Sequence, residues 1–274
     1  MTWFYEHYRD ASAIGIHTTA LVHEERSEFQ SIKVFDTVAH GRLLTLDDMV
    51  MLTELDEFVY HEMLIHVPVC THPSPRQVLV VGGGDGGCVR EALKHPTVER
   101  VVQCEIDERV TRVCQEFVPS VAGAVDDPRC ELVFTDAVQY VRDNPGVFDV
   151  IAVDSTEPIG PAEALFGKAF FEDVKAALRP GGIVTAQAES PFYAPEVLKG
   201  LFGAVRPTYA HVHGYVAGIP TYPGGLWTFL FASDERRPTE VDLARATALE
   251  GRYYGPPVAA GAFQLPQFVA ELTS

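Results

Sequence analysis

The chain has 274 residues, of which 47% are apolar, and its formal net charge is −17. This length and apolar content suit one large α/β domain with a small appendage, and the acidic balance argues against a nucleic-acid-binding protein, which would carry a basic surface. No apolar run approaches the length of a membrane span, and the five cysteines, with no C-x-x-C pair, indicate neither a zinc knuckle nor a disulfide framework.

Residues 1–56 are predicted to form a small N-terminal β domain. Residues 28–38 (EFQSIKVFDTV) are rich in strand-forming residues, His40 to Arg42 resemble a turn, and residues 43–51 (LLTLDDMVM) are predicted to return as a strand. A unit of this size is only marginally stable alone. We therefore expect it to pack on the main domain, on a second subunit, or on both.

Residues 57–274 are predicted to form a doubly wound domain. A helix is expected over residues 56–67 (DEFVYHEMLIHV), where acidic residues precede apolar residues at helical spacing. Further along, helical segments alternate with apolar segments typical of buried strands: QVLVV, RVVQCEID, CELVFTD, FDVIAVD and GGIVTAQAES. This alternation predicts a mostly parallel sheet. The segments from His211 onward are predicted to add antiparallel strands.

Polar and acidic residues follow the predicted strands of the main domain. In open α/β sheets, ligands bind at the carboxyl ends of the strands. The residues at those ends are Gly82–Gly87, Glu105–Asp107, Asp136, Asp154–Glu157 and Gln187–Ser190. Because many of them are carboxylates, the sequence permits a cationic ligand at this edge of the sheet.

The glycine loop, Gly82–Gly87 (GGGDGG), has the spacing of a dinucleotide-binding fingerprint. It satisfies the G-x-G-x-x-G pattern at Gly82, Gly84 and Gly87. With Glu105 about twenty residues later, an NAD-dependent oxidoreductase is one hypothesis. A pyrophosphate at this helix N-terminus would lie beside Asp85, where two like charges about 4 Å apart repel by roughly 4 kcal/mol at an effective dielectric constant near 20. A nucleoside without phosphates fits better, with Glu105 on its ribose hydroxyls.

Asp85 also distinguishes between two such nucleosides. S-adenosylmethionine carries a carboxylate that Asp85 would repel, whereas its decarboxylated form ends in a propylammonium that Asp85 would attract. The sequence favours the decarboxylated form, and an S-adenosylmethionine methyltransferase stays open as an alternative. The structural alternative for Asp85 is a simple N-cap of the next helix.

A second acidic cluster follows the strand FDVIAVD. Asp154 and Glu157 flank a short turn, and a loop rich in proline and glycine continues to Glu163 (DSTEPIGPAE). Loops of this kind can order over a ligand, and carboxylates in a partly closed site would hold amines. The alternative is a solvated turn in which Asp154 is a cap.

Four separated segments together resemble the polyamine aminopropyltransferases, above all the spermidine synthases. They are DEFVYHEMLIHVP, VLVVGGGDGGCVREALKHPTVERVVQCEID, DSTEPIGPAEALF and IPTYPGGLWTF. The resemblance runs from Trp3 almost to the C-terminus. It implies a methyltransferase-type Rossmann-like fold, and transfer of the aminopropyl group of decarboxylated S-adenosylmethionine to putrescine, which yields spermidine and 5′-methylthioadenosine.

The resemblance also implies roles for residues at matching positions. Asp154 would be the catalytic base, with Tyr60 beside it on the attacking nitrogen. The expected contacts of the aminopropyl donor are Gln30, Gly82, Gly84, Asp85, Glu105, Asp136, Ala137 and Pro161. Among these, Asp136 would accept from the adenine amino group and Asp85 would bind the aminopropyl amine. The expected contacts of the acceptor amine are Trp3, His61, Asp154, Glu157, Glu189 and Tyr222.

Two positions depart from the commonest family pattern. Glu157 is the second carboxylate of a turn that usually reads D-S-x-D-P, and Leu55 stands where an arginine or lysine often precedes Asp56. The extra methylene of Glu157 leaves the acceptor length open, so 1,3-diaminopropane, cadaverine and agmatine are alternatives to putrescine. The change at Leu55 has no functional explanation.

The chemistry that the resemblance implies requires no metal or redox cofactor, so we expect none. His61 and His66 resemble an H-E-x-x-H zinc motif but are five residues apart, so on a helix they point away from each other. Family members are usually dimers or tetramers joined through the N-terminal domain, so the resemblance implies a homodimer or homotetramer here. The cysteine pattern fits a reducing cytoplasm, and we expect no nucleic-acid or membrane partner. A catalytically silent polyamine-binding protein is the alternative from another functional class.

Overall fold

The computed structural model describes residues 2–8 and 10–274, apart from the side chain of Pro161. Its N-terminal sheet is antiparallel, with five strands in chain order. The strands are β1 (Thr2–Tyr8), β2 (Ser12–Arg26), β3 (Ser31–Thr37), β4 (Arg42–Leu46) and β5 (Met49–Thr53). Strands β1 and β2 are not among the strands predicted from the sequence, although the aromatic-rich sequence TWFYEHY of β1 is itself a strand signal.

The single return strand predicted over residues 43–51 is wrong. The structure has a hairpin there, in which β4 and β5 pair on either side of a tight turn at Asp47 and Asp48. Both aspartates have positive φ angles, 48° and 64°. Two successive left-handed residues are typical of a two-residue hairpin turn, and aspartate adopts this conformation more readily than most residues.

Seven strands form the second sheet. They are β6 (Gln77–Gly82), β7 (Arg100–Glu105), β8 (Cys130–Phe134), β9 (Phe148–Asp154), β10 (Leu178–Gln187), β11 (His211–Gly218) and β12 (Leu226–Ser233). Across the sheet the order is β11-β12-β10-β9-β6-β7-β8. The five strands from β10 to β8 are parallel, and β11 and β12 are antiparallel. The predicted Rossmann-like fold with a small N-terminal β domain is confirmed.

Helices connect and cover these strands. They are α1 (Glu57–Thr71), α2 (Gly87–Leu93), α3 (Glu108–Phe117), α4 (Pro119–Ala122), α5 (Ala137–Asp143), α6 (Lys168–Ala177), α7 (Pro195–Val205), α8 (Leu243–Ala248), α9 (Pro256–Gly261) and α10 (Gln267–Leu272). The predicted helix over residues 56–67 corresponds to α1, which continues four residues further. Within the described residues, no helix is long and apolar enough to cross a membrane. The predicted domain boundary between residues 56 and 57 stays a prediction.

The register of the parallel strands positions the site. Strand β6 pairs with β9 so that Gly82 lies opposite Asp154, and β6 pairs with β7 on its other side. The glycine loop, Asp154 and Glu105 therefore reach the same edge of the sheet. Helix α1, whose residues are almost all buried, packs against β9 and β10 and carries Tyr60 to this edge.

Candidate active site

A cleft of about 400 Å³ opens at the carboxyl ends of β6, β7 and β9. One wall is the N-terminal sheet with its loops, and the other is formed by the loops that follow the parallel strands. The acidic residues of its lining are Asp47, Asp85, Glu105, Asp136 and Asp154. No lysine, arginine or histidine is among the described residues that line it. The cleft therefore favours a cationic ligand.

The glycine loop lies directly against the backbone of Asp154. Gly82 has a φ of 78°, and a Cβ there would collide with the Asp154 carbonyl oxygen. The N–H of Gly83, whose φ is 64°, donates a 2.9 Å hydrogen bond to the same oxygen. A Cβ on Gly84 would lie 3.0 Å from a carboxylate oxygen of Glu105. The missing side chains thus let the loop approach two functional carboxylates closely.

The end of the cleft beside β7 and β8 carries the groups expected for a nucleoside. Burial raises the pKa of Glu105 to about 7, although a hydrogen bond from the Asp107 N–H opposes this shift. Gln30 is held at the rim, because its Nε2 donates to Asp107 Oδ2 at 2.9 Å. Asp136 caps α5 by accepting from the Val138 N–H at 2.8 Å.

The structure brings most of the predicted donor contacts together. The described residues among them that line the cleft are Gln30, Gly82, Gly84, Asp85, Glu105, Asp136 and Ala137. The side chain of Pro161, the remaining predicted contact, lies outside the described residues. The donor roles of all eight stay predictions.

Asp154 and Tyr60 meet inside the cleft. The Tyr60 hydroxyl donates a 2.7 Å hydrogen bond to Asp154 Oδ1, whereas Oδ2 is buried without a hydrogen-bond partner among the described residues. Burial, followed by the negative charge of Asp85, raises the pKa of Asp154 to about 6. Burial also raises the pKa of Tyr60 well above its ordinary value, so the phenol stays a donor. Tyr60 therefore holds one carboxylate oxygen in place, and the raised pKa suits the carboxylate as a proton acceptor.

His61 lies behind Asp85 and outside the lining of the cleft. Its side chain is 2% exposed, and its Nε2 is 3.3 Å from Asp85 Oδ1. Its Nδ1 is 2.6 Å from Glu57 Oε2. Because both ring nitrogens are engaged, the geometry does not support the expected contact between His61 and an acceptor amine.

A narrow side pocket of about 30 Å³ continues from the cleft past Tyr60. It adjoins the cleft, and the residues that line both are Met51, Tyr60, Ser155, Thr156 and Tyr222. Three carboxylates, from Glu6, Glu157 and Glu189, line the side pocket, and no basic residue is among its described lining residues. The Tyr60 and Tyr222 rings meet edge-on at 5.7 Å, and the Tyr222 and Trp227 rings at 4.7 Å.

The carboxylates of the side pocket hold protons unusually tightly. Burial raises the pKa of Glu6 to about 7. Burial and then the charge of Glu157 raise the pKa of Glu189 to about 8. Burial also raises the pKa of Glu157, whose Oε2 has no partner among the described residues. Apolar walls with a cluster of carboxylates suit an alkyl diammonium ligand.

Trp3 is predicted from the sequence to contact the acceptor amine, but Glu6, which is not predicted, lines the side pocket and Trp3 does not. Trp3 is 55% exposed and stacks on His17, because odd-numbered residues of β1 face away from the side pocket. Glu6 is buried and accepts a 2.8 Å hydrogen bond from the Val50 N–H. The available sequence signal was the two-residue periodicity of a strand, because it places the charged side chain of Glu6 on the same face of β1 as Phe4.

One group of side chains in the described structure has metal-ligand chemistry. Ligand atoms of His61, Cys88 and Asp154 lie within 4.8 Å of one another. The two nitrogens of His61 already contact Glu57 and Asp85, and a metal would need a deprotonated ring nitrogen. These contacts fit a hydrogen-bonded network better than a metal site.

Comparisons with known proteins cover nearly the whole chain. Residues 57–244 match the family model described as the spermine/spermidine synthase domain, and residues 2–54 match the model of the spermidine synthase tetramerisation domain. A polyamine aminopropyltransferase of Thermoanaerobacter sp. (strain X514) is 44% identical over 98% of each chain. One from Clostridium kluyveri is 43% identical over 99% of this chain and 98% of its own.

Two solved structures share the fold. A spermidine synthase in complex with the transition-state analogue AdoDATO superimposes with a TM-score of 0.97 and 35% identity. The spermidine synthase of Thermotoga maritima superimposes with a TM-score of 0.94 and 34% identity. Each superposition covers 99% of this chain and 94% of the other.

Proposed function

Since the chain belongs to the spermine/spermidine synthase family and is a polyamine aminopropyltransferase, we propose that it transfers the aminopropyl group of decarboxylated S-adenosylmethionine to putrescine. The products are spermidine and 5′-methylthioadenosine. The observation that carries the choice of acceptor is the side pocket, where aromatic walls lead from Asp154 to the carboxylates of Glu6, Glu157 and Glu189. Family membership leaves the NAD-dependent oxidoreductase and methyltransferase hypotheses without support.

The donor would occupy the cleft with its hydrogen-bond donors and its ammonium group opposite acidic side chains. Glu105 would accept from the ribose hydroxyls, and Asp136 from the adenine amino group. Asp85 would bind the terminal ammonium of the aminopropyl chain. A carboxylated donor would bring an anion to Asp85, which disfavours S-adenosylmethionine. The sulfonium would lie in a cleft with five acidic lining residues, which stabilise its positive charge in the bound state.

The reaction is an in-line displacement at the carbon next to the sulfonium. The amine nitrogen forms the new C–N bond with its lone pair, and the C–S bond breaks with its electrons passing to sulfur, so 5′-methylthioadenosine leaves uncharged. An alkylamine is protonated at neutral pH, so the nucleophile must first lose a proton. Asp154 would accept that proton, while the hydrogen bond from Tyr60 keeps the carboxylate oriented. Holding both substrates in line supplies much of the remaining acceleration.

The acceptor would bind as a diammonium with one end at Asp154. Its methylenes would lie between the rings of Tyr60, Tyr222 and Trp227, and its distal ammonium would meet the three glutamates. Glu157 is one methylene longer than the aspartate common in the family, and it shares the distal end with Glu6 and Glu189. This arrangement favours a short diamine such as putrescine over a longer one.

The test is release of 5′-methylthioadenosine from decarboxylated S-adenosylmethionine by the purified protein. The acceptors are 1,3-diaminopropane, putrescine, cadaverine, agmatine and spermidine. The highest kcat/KM with putrescine is expected. A maximum with another amine would refute putrescine as the acceptor while keeping the chemistry, and no release with any amine would support a silent binding protein.

Three further properties belong to this proposal. The match of residues 2–54 to a tetramerisation domain supports a homo-oligomer, a dimer or a tetramer, joined through the N-terminal sheet. We propose that turnover needs no metal or redox cofactor, because the displacement requires neither. Five free cysteines in the described structure are compatible with the cytoplasm as the site of action.

A further inference from the structure

Four side chains of alternating charge run from the cleft through the protein to a second cavity. Asp85 contacts His61 at 3.3 Å, and His61 contacts Glu57 at 2.6 Å. Arg90 then donates to both carboxylate oxygens of Glu57, at 3.1 and 2.8 Å. Asp85 lines the cleft, whereas Glu57 and Arg90 line a separate cavity on the other side of this chain. We call these four residues the buried relay.

Gly87 holds the imidazole of the buried relay in place. A Cβ on this glycine would collide with three atoms of the His61 ring, so the ring lies close against the first turn of α2. The N–H of Gly87 donates a 2.7 Å hydrogen bond to Asp85 Oδ1, the same oxygen that faces His61. Oδ1 is therefore held by the Gly87 N–H and by His61, whereas Oδ2 makes no hydrogen bond with the described residues.

The surroundings of His61 favour its charged form. Burial alone would lower the pKa of His61, but the charge of Asp85 and the hydrogen bonds with Asp85 and Glu57 outweigh burial and raise it well above its ordinary value. Burial likewise opposes ionisation of Asp85, and the charge of His61 reverses that effect and lowers the pKa of Asp85. The charged or titratable groups around the ring are Glu57 and Tyr60 on α1, Asp85 in the glycine loop, Cys88 and Arg90 on α2, and Asp154 at the end of β9.

We propose that Glu57, His61 and Arg90 are positioning residues for Asp85, which keep its carboxylate ionised and oriented so that Oδ2 binds the aminopropyl ammonium of the donor and rejects a carboxylated donor. This inference rests on the proposed function, because it requires the donor ammonium at Asp85. In this arrangement Glu57 and Arg90 control donor selectivity without touching either substrate.

The readout is the ratio of two dissociation constants, Kd for S-adenosylmethionine divided by Kd for the decarboxylated form, measured by calorimetry. Asp85→Asn should reduce this ratio by about tenfold. Glu57→Gln should reduce the ratio by somewhat less than that. In Glu57→Gln the reduction should grow as the pH is raised from about 6 to 8.5, because His61 of the variant loses its proton over that range and no longer holds Asp85 as an imidazolium. The Kd for 5′-methylthioadenosine, which has no aminopropyl group, should stay unchanged.

Glu62→Gln is the matched control. Glu62 is buried on the same helix, but its carboxylate accepts from the N–H groups of residues 252, 253 and 254 and contacts none of the buried relay. Thermal unfolding of each variant shows that it is folded under the assay conditions. The ratio in Glu62→Gln should equal that of the unsubstituted protein.

Nitrogen-15 NMR of histidine-labelled protein reports the state of His61 independently of binding, with His61→Gln identifying its signals. Both ring nitrogens should carry protons at about pH 7.5, and in Glu57→Gln the ring should become neutral at a lower pH than in the unsubstituted protein. A neutral ring in the unsubstituted protein would overturn the proposal, and so would a reduced ratio in Asp85→Asn with an unchanged ratio in Glu57→Gln. An unchanged ratio in Asp85→Asn would instead overturn the donor role of Asp85 on which the proposal rests.

Discussion

The hydroxyl of Tyr60 on α1 donates a 2.7 Å hydrogen bond to Oδ1 of Asp154 at the end of β9. These two residues are 94 positions apart in the chain. The contact anchors one oxygen of the carboxylate, whereas the other accepts no hydrogen bond from the part of the chain that the structure describes. It also opposes the effect of burial, because a hydrogen bond to the charged form lowers the pKa of a carboxyl group. The pKa of Asp154, raised to about 6, therefore depends on Tyr60.

Tyr60→Phe should lower kcat by about ten- to a hundredfold, because the base loses its orientation. It should also move the acidic limb of the pH–rate profile to higher pH. Asp154 acts as a base when ionised, so activity falls as the pH falls through its pKa, and loss of the hydrogen bond raises that pKa further. The measurement is kcat against pH at saturating substrates. A lower rate with an unmoved acidic limb would contradict the assignment.

The carboxylates of the side pocket should make acceptor binding depend on pH. The pKa values of Glu6, about 7, and Glu189, about 8, mean that the empty pocket holds protons near neutral pH. A diammonium should expel them, so putrescine KM should fall between about pH 6 and 8.5 and binding should release protons. Calorimetry in two buffers of different ionisation enthalpy counts the protons. If binding releases no protons, the claim that the carboxylates of the empty pocket hold protons near neutral pH is wrong.

The same raised pKa values predict that the free protein loses stability as the pH rises, whereas acceptor binding becomes stronger. A carboxyl group with a raised folded-state pKa contributes stability below its ordinary pKa, and this contribution is lost as the pH rises through the folded-state value. Glu189→Gln should therefore raise the Tm of the free protein at pH near 9 more than at pH near 6, and it should raise putrescine KM. Glu196→Gln, on the exposed face of α7, is the control and should change neither quantity. A Tm shift of Glu189→Gln that is the same near pH 6 and near pH 9 would contradict the prediction.

Gly82→Ala should destabilise the protein and abolish turnover. Its φ of 78° and the Asp154 carbonyl in the space of a Cβ both oppose a side chain, and we expect a loss of more than about 2 kcal/mol in the free energy of unfolding. Gly200→Ala is the matched control, because no atom lies within 4 Å of a Cβ there and alanine suits a helix interior. It should gain about 0.5 to 1 kcal/mol. Denaturant unfolding measures both, and equal stabilities would contradict the close packing of the glycine loop.

The sequence predicted the parallel sheet better than the N-terminal sheet. Buried parallel strands are continuous apolar runs and are easily recognised, whereas β4 and β5 meet at Asp47 and Asp48, which lack the asparagine–glycine signature of a hairpin. The prediction that the site lies at the carboxyl ends of β6, β7 and β9 rests on a general rule of such sheets and agrees with the cleft.

The remainder of the site depends on contacts between distant segments. Glu6 reaches the side pocket from another sheet, about 150 residues from Glu157, and no local pattern reveals that approach. The pairing of His61 with Glu57 is visible as an i, i+4 spacing on a helix. The contact of His61 with Asp85 requires the packing of α1 against α2, which the sequence does not show.

The most direct test of the account is single-turnover transfer by Asp154→Asn with bound decarboxylated S-adenosylmethionine and saturating putrescine. Asparagine keeps the shape of the side chain but has no carboxylate to accept a proton. We expect the transfer rate to fall by at least about a hundredfold, while the Kd for 5′-methylthioadenosine stays within about twofold of that of the unsubstituted protein. A transfer rate close to that of the unsubstituted protein would contradict the role of Asp154 as the base.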